Sequence, residues 1–127
     1  MIQKILVDTN AWIYAVKNKV DIQQAIKKTF GIAGIYVPNV VLDELEELSK
    51  KAKKGSDKHS ARLALQIIKH KRLPQPKLTG FADTAIADWA VKNNGSVLTN
   101  DIELKIKLKK LKVKAYCLRQ KKMIREW

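Results

Sequence analysis

A single cysteine, Cys117, in a chain of 127 residues excludes an internal disulfide framework and a cysteine-based zinc site. The two histidines, His59 and His70, have no cysteine or histidine pair beside them and read as surface residues. No apolar run approaches the roughly 18 residues of a membrane-spanning helix. The opening Met1–Asp8 lacks the long apolar stretch and small-residue cleavage site of a signal peptide, so a cytoplasmic location is expected. Gly-x-Gly-x-x-Gly and a Walker A lysine are absent, which removes nucleotide-cofactor readings. Without repeats or a Pro/Gly/Ser-rich linker, the length implies one domain over residues 1–127. Acids are scarce: 12 Asp and Glu stand against 26 Lys and Arg, a formal charge of +14. With 46% apolar residues the chain can bury a core, so the excess charge speaks of a partner: nucleic acid first, an anionic membrane surface second.

Short apolar runs alternate with longer amphipathic stretches, the pattern of an α/β fold with a parallel sheet. Lys4–Val7 reads as a strand buried on both faces. Thr9 or Asn10 is the expected cap of a helix to Lys17, and Asp21 of another to Phe30, broken by Gly31 and Gly34. A strand is expected at Ile35–Val37, and a helix from Pro38 to Lys50. A turn at Gly55–Asp57 precedes a helix to His70, and Leu73–Gly80 reads as a loop. A helix over Phe81–Asn94, ended by Gly95, precedes strands at Ser96–Thr99 and Val113–Tyr116. Ile102, Leu104, Ile106 and Leu108 alternate like a strand, yet a crossover helix is required between parallel strands, so helix is the reading. A basic tail over about 117–127 closes the chain.

With so few acids, their placement is informative. Asp8 directly follows the first strand and Asp101 the Ser96–Thr99 strand, so both fall at the carboxyl edge of the sheet, where sites form in open α/β folds. On the helix after Pro38, Glu44 projects about 65° from the centre of the Val41/Leu45/Leu48 stripe, whereas Asp43, Glu46 and Glu47 lie more than about 120° away. On the Phe81–Asn94 helix, Asp83 flanks the Ala82/Ala85/Ile86/Trp89 stripe in the first turn, and Asp88 falls about 130° off on the other side. Four carboxylates converging without a lysine between them require a counter-charge. Hard divalent cations supply it, and Mg²⁺ or Mn²⁺ held this way activates water and stabilises a phosphoryl transition state.

These stretches are familiar. Leu6-Val7-Asp8-Thr9-Asn10, Val41-Leu42-Asp43-Glu44-Leu45, Phe81-Ala82-Asp83-Thr84-Ala85-Ile86-Ala87 and Val97-Leu98-Thr99-Asn100-Asp101 resemble, in order, the four acidic motifs of PIN-domain nucleases. The resemblance spans residues 4 to about 116. It implies a three-layer α/β/α sandwich with a central parallel sheet and Mg²⁺- or Mn²⁺-dependent endoribonuclease activity. It carries metal-ligand and catalytic roles onto Asp8, Glu44, Asp83 and Asp101 and supporting roles onto Asn10 and Thr99, with Glu103 a lesser candidate. Thr99-Asn100-Asp101 before Leu104-Lys105 and a basic end resembles the branch that processes small-subunit ribosomal RNA. The toxin ribonucleases of toxin–antitoxin operons have similar length and the same acids. On charge the first branch leads; the toxin and a non-catalytic RNA-binding module are the alternatives. A pre-ribosome, an antitoxin or a second copy of the chain are the protein partners these readings imply.

Two rival α/β classes fail on their acids. A haloacid-dehalogenase-like phosphatase wants a second Asp where Asn10 stands, and a response-regulator receiver wants two early acids this chain lacks. Basic residues cluster in two segments, 50–62 and 105–125. Lys51, Lys53, Lys54, Arg62, Lys105, Lys109, Arg119 and Lys121 are the candidate contacts to single-stranded or structured-loop RNA. Lysine-rich surfaces also arise in adaptation to heat, but that enrichment adds Glu with Lys, and here the acids are not raised. Trp12 and Trp89 read as core. Trp127 is left with two readings, stacking on a base or packing in a dimer interface.

Overall fold

The computed structural model describes residues 2–127. In chain order the elements are β1 (Gln3–Val7), α1 (Thr9–Lys17), α2 (Ile22–Phe30), β2 (Ala33–Tyr36), α3 (Asn39–Lys51), α4 (Gly55–Lys71), α5 (Ala82–Asn93), β3 (Ser96–Leu98), α6 (Ile102–Lys110), β4 (Ala115–Arg119) and β5 (Met123–Glu126). The strands form one sheet in the order β2-β1-β3-β4-β5. β2, β1, β3 and β4 are parallel, and β5 closes the edge antiparallel to β4. Helices α5 and α6 pack on each other and against β1, β3 and β4, while α1, α3 and α4 pack together in a separate layer. This is the expected three-layer α/β/α sandwich.

The β1 residues Ile5, Leu6 and Val7 are wholly buried, as a central parallel strand covered on both faces must be. From β1 the chain moves outward to β2; from β3 it moves outward the other way to β4. The order therefore reverses between β1 and β3, and the crevice at that switch point lies above the ends of these two strands. Their register pairs Val7 with Leu98. Asp8 and Thr99 are thus the next residues on neighbouring strands, and Asp8 N–H donates to Leu98 O at 2.9 Å.

Several boundaries differ from the sequence-based expectations. The cap of α1 is Asp8, not Thr9 or Asn10: it is extended (φ −79°, ψ 164°) and its carboxylate accepts from Thr9 N–H. Gly34 lies inside β2 rather than breaking a helix, because Gly31 alone, at φ 77°, ends α2. Helix α4 begins at Gly55 itself, so the expected Gly55–Asp57 turn is its first turn. Asn94, left-handed at φ 50°, ends α5 in place of Gly95. Gly95 is instead required by packing, since a Cβ there would meet the Trp89 ring at 2.7 Å. The ambiguous stretch is helix α6, capped by Asp101. The last parallel strand starts at Ala115, two residues later than expected, and residues 117–127 are not a tail: β4 and β5 form a hairpin through them.

The loop over residues 73–80 is held along the end of β2. Val37 N–H donates to Pro74 O and Asn39 N–H to Pro76 O, at 2.9 and 3.1 Å. The Asn39 side chain then accepts from Leu78 N–H and donates to Leu78 O. The prolines cost this edge nothing, because only their carbonyls are used. The loop so anchored starts α5 at the carboxyl edge of the sheet.

Candidate active site

Asp8 is the centre of the edge. It is 8% exposed, and its two carboxylate oxygens accept from Thr9 N–H at 2.8 Å and from the Thr99 hydroxyl at 2.9 Å. Burial is the main cause that pushes Asp8 up to about 6; the two hydrogen bonds oppose it, and the charges of Glu44 and Asp83 add to it. Glu44 on α3 and Asp83 on α5 are therefore close enough for their charges to act on Asp8, at the end of β1. Glu44 is solvent-exposed and Asp83 half-buried.

Asp101 occupies the same edge in a different way. Its carboxylate caps α6, accepting from Glu103 N–H at 2.9 Å. Glu103, the lesser candidate, is exposed on the first turn of α6. Among the described residues, no three His, Cys, Asp or Glu side chains converge into a metal-holding set as they stand.

The donor set nonetheless fits a hard divalent cation. It is carboxylate oxygen only. It is also unpaired: the ion pairs among the described residues are Lys17–Asp57, Lys50–Glu46 and Lys114–Glu126, and none uses Asp8, Glu44, Asp83 or Asp101. In a chain with 26 cationic side chains, leaving these four acids without one is informative. Asp8, Glu44 and Asp83 are the residues that would hold the ion.

The supporting residues form one connected network. The single Thr99 hydroxyl proton goes to Asp8, the nearer acceptor, and the same oxygen accepts from Asp101 N–H at 3.0 Å. Asn10 Oδ1 lies 3.3 Å from that hydroxyl and accepts from Asn100 N–H at 2.8 Å. Sequence reasoning assigned Asn10 and Thr99 and passed over Asn100, whose side chain accepts from Leu118 N–H at 2.9 Å and so ties the loop to β4. Its signal was its place inside the Thr99-Asn100-Asp101 motif. Tyr14 was also missed: its hydroxyl accepts from Lys121 N–H and fixes the β4–β5 turn above α1. Both line a cleft of about 370 Å³ with Asn10, Lys17, Glu44 and Asp57, though only Glu44 of the four acids reaches it.

The predicted RNA contacts fall at several places. Lys51, Lys53 and Lys54 are exposed at the α3–α4 junction, and Arg62 is exposed about two turns into α4. Lys51 stands seven residues beyond Glu44, about 10 Å along the helix. Lys105 and Arg119 lie on the second turn of α6 and at the end of β4, and Lys121 in the turn that Tyr14 holds. Lys109 is on the last turn of α6, away from the carboxyl edge. Asp88, His59 and His70 are exposed and Trp12 and Trp89 buried, as expected; Cys117 is buried as well.

The chain matches the PIN like domain family over residues 5–121 and belongs to it. Ribonuclease VapC4 of Methanocaldococcus jannaschii is 37% identical over 122 residues, covering 94% of this chain and 92% of that protein. Ribonuclease VapC9 of Archaeoglobus fulgidus is 30% identical over 119 residues, covering 94% and 85%. Among solved structures, that of the PIN domain endonuclease Utp24 superposes with a TM-score of 0.80 at 22% identity, over 97% of this chain and 90% of that one.

Proposed function

We propose that the protein is a divalent-metal-dependent endoribonuclease of the toxin type, with Asp8, Glu44, Asp83 and Asp101 as its acidic site and Mg²⁺ or Mn²⁺ as its metal. The observation that carries this reading is the unpaired state of those four acids at one sheet edge of a +14 chain. Ribosomal RNA processing, which charge alone placed first, yields to the toxin reading because the relatives at 37% and 30% identity are VapC ribonucleases. An antitoxin is then the expected protein partner, and no role is assigned to a pre-ribosome. No described helix is long and apolar enough to cross a membrane.

When bound, the cation would lower the pKa of its water and neutralise charge developing on the scissile phosphate. The chain's own part is positional. Thr9 N–H and the Thr99 hydroxyl fix the rotamer of Asp8, so the carboxylate does not have to be ordered when substrate arrives. Burial of Asp8 strengthens its attraction to any cation, since little water competes. Basic side chains at 51–54 and around Lys105, Arg119 and Lys121 hold the RNA backbone, which the acids alone would repel.

The test is cleavage of single-stranded RNA by wild type and Asp8→Asn in Mg²⁺, in Mn²⁺ and in EDTA. Cleavage by wild type with metal, and by neither protein in EDTA, is expected. Asp8→Asn should lose at least about a hundredfold in rate. RNA binding with no cleavage under any condition would instead establish the non-catalytic module.

A further inference from the structure

β5 and Trp127 lie beyond the residues that match the family. Trp127 is neither a free stacking surface nor a loose end. Its backbone N–H donates to Ala115 O at 3.0 Å, continuing the hairpin ladder. Its indole Nε1–H donates to the carbonyl of Thr99 at 2.9 Å. Thr99 is the residue whose hydroxyl holds Asp8, so a hydrogen bond to its backbone acts directly on the loop that positions the acid.

The same ring gathers positive charge. Lys105 Nζ lies 4.8 Å from its centroid and the Arg119 guanidinium 4.9 Å. The two cations come from different elements and are drawn to one ring by its quadrupole. They repel each other, and neither has a carboxylate within 4.0 Å among the described residues. Arg119 uses Nε on Cys117 Sγ at 3.3 Å, which leaves its other donors for a ligand. Two cations held at one ring without a counter-charge attract an anion with several acceptor oxygens. At the rim of a site proposed to cut RNA, that anion is a backbone phosphate.

We infer that Lys105, Trp127 and Arg119 form a subsite for an RNA phosphate, in which Trp127 is a positioning residue that holds both cations and ties them through Thr99 to Asp8. This subsite rests on the RNA reading above. Its consequence is register: the point at which the backbone is gripped and the acid that works on a neighbouring phosphate are joined by one side chain.

The experiment measures binding of a short single-stranded RNA across a salt series, in an Asp8→Asn background so that the RNA stays intact. Replacing Lys105 and Arg119 together by Ala should flatten the slope of log affinity on log salt by about 1.4, two contacts at roughly 0.7 each. Trp127→Ala should flatten it by a similar amount, and Trp127→Phe should not, because the ring remains. Adding Trp127→Ala to the Lys105/Arg119 double variant should cause no further loss, since all three act as one unit. With Asp8 intact, Trp127→Phe should lower kcat while KM holds, reporting the lost bond to Thr99.

An unchanged slope in the double variant, or strictly additive losses, overturns the subsite. An unchanged kcat in Trp127→Phe overturns the tie to Asp8. Should Trp127→Ala fail to fold, the double variant, altered only at side chains that reach the surface, decides alone. Absence of RNA affinity in the parent removes the subsite as well. Binding with the expected slope but no cleavage by wild type removes only the nuclease reading and leaves the subsite standing.

Discussion

Asp8→Asn should stabilise the protein at neutral pH in the absence of metal, although it removes the central acid. Asp8 is raised from 3.8 to about 6, chiefly by burial. At about 1.4 kcal/mol per unit, ionising it in the folded state costs about 3 kcal/mol relative to the unfolded chain. The sign follows from the direction of the shift. The folded protein holds this proton more tightly than the unfolded chain does, so the contribution of Asp8 is most favourable below about pH 4. It declines as pH rises from about 4 to about 6 and stays level above. Asn removes the ionisation penalty but cannot accept the Thr99 hydroxyl proton in the same way, a loss of about 1 kcal/mol. The net gain of about 2 kcal/mol corresponds to about 5–10 °C in Tm for a domain of this size. Thermal melts in EDTA from pH 4 to 8 should show the variant equal to or below wild type at pH 4, with a gap that opens to a plateau above about pH 6.5. Millimolar Mg²⁺ or Mn²⁺ should then raise the Tm of wild type and leave that of the variant almost unmoved. A gap that does not change with pH would refute the assignment of a buried, penalised carboxylate at position 8.

Thr99→Val deletes the hydroxyl that donates to Asp8 and accepts from Asp101 N–H; it should cost about 1–3 kcal/mol in denaturant melts and move the acid limb of the pH–rate profile upward. At Asp101, Asn keeps the cap of α6 whereas Ala loses about 0.5–2 kcal/mol of it, so equal stability with reduced cleavage in Asp101→Asn would separate a catalytic role from capping. Gly95→Ala places a methyl 2.7 Å from the Trp89 ring and should lower stability by about 1–3 kcal/mol without changing the metal dependence of cleavage. Replacing Lys51, Lys53 and Lys54 by Ala should weaken binding to unrelated RNAs alike and flatten its salt slope, with kcat at saturating RNA retained; an unchanged slope would make these lysines a solubilising face.

The parts of this structure that could be read in advance are those written in local pattern. The apolar Ile5-Leu6-Val7 run declares a buried strand, Asp21 and Gly31 bracket α2, and helical projection singles out Glu44 and Asp83 as the acids beside the apolar stripes. What eluded the sequence depends on distant partners. Asn94 ends α5 because it tolerates a left-handed backbone, while the neighbouring glycine, the more obvious stop, is spent on the Trp89 contact. The 117–127 segment looks like a basic tail because Arg119, Lys121, Lys122 and Arg125 dominate it. Its strand pairing, Cys117 with Arg125 and Leu118 with Ile124, appears only when the two halves are laid side by side. The α1 cap was legible only to within a residue or two: it falls on Asp8, whose carboxyl still feels the charges of Glu44 and Asp83.

Thr99 and Asp8 are 91 residues apart in the chain, and Asn10 and Asn100 are 90 apart. Closing a loop of that length carries an entropic cost that is recovered only when β1 and β3 dock, and contacts so remote in sequence form late in folding. No helix or hairpin of this protein, however well formed, contains the assembled network. Competence to cut therefore arrives together with the folded state: nascent, partly unfolded or proteolysed chains retain the basic residues that attract nucleic acid but lack the arranged acids.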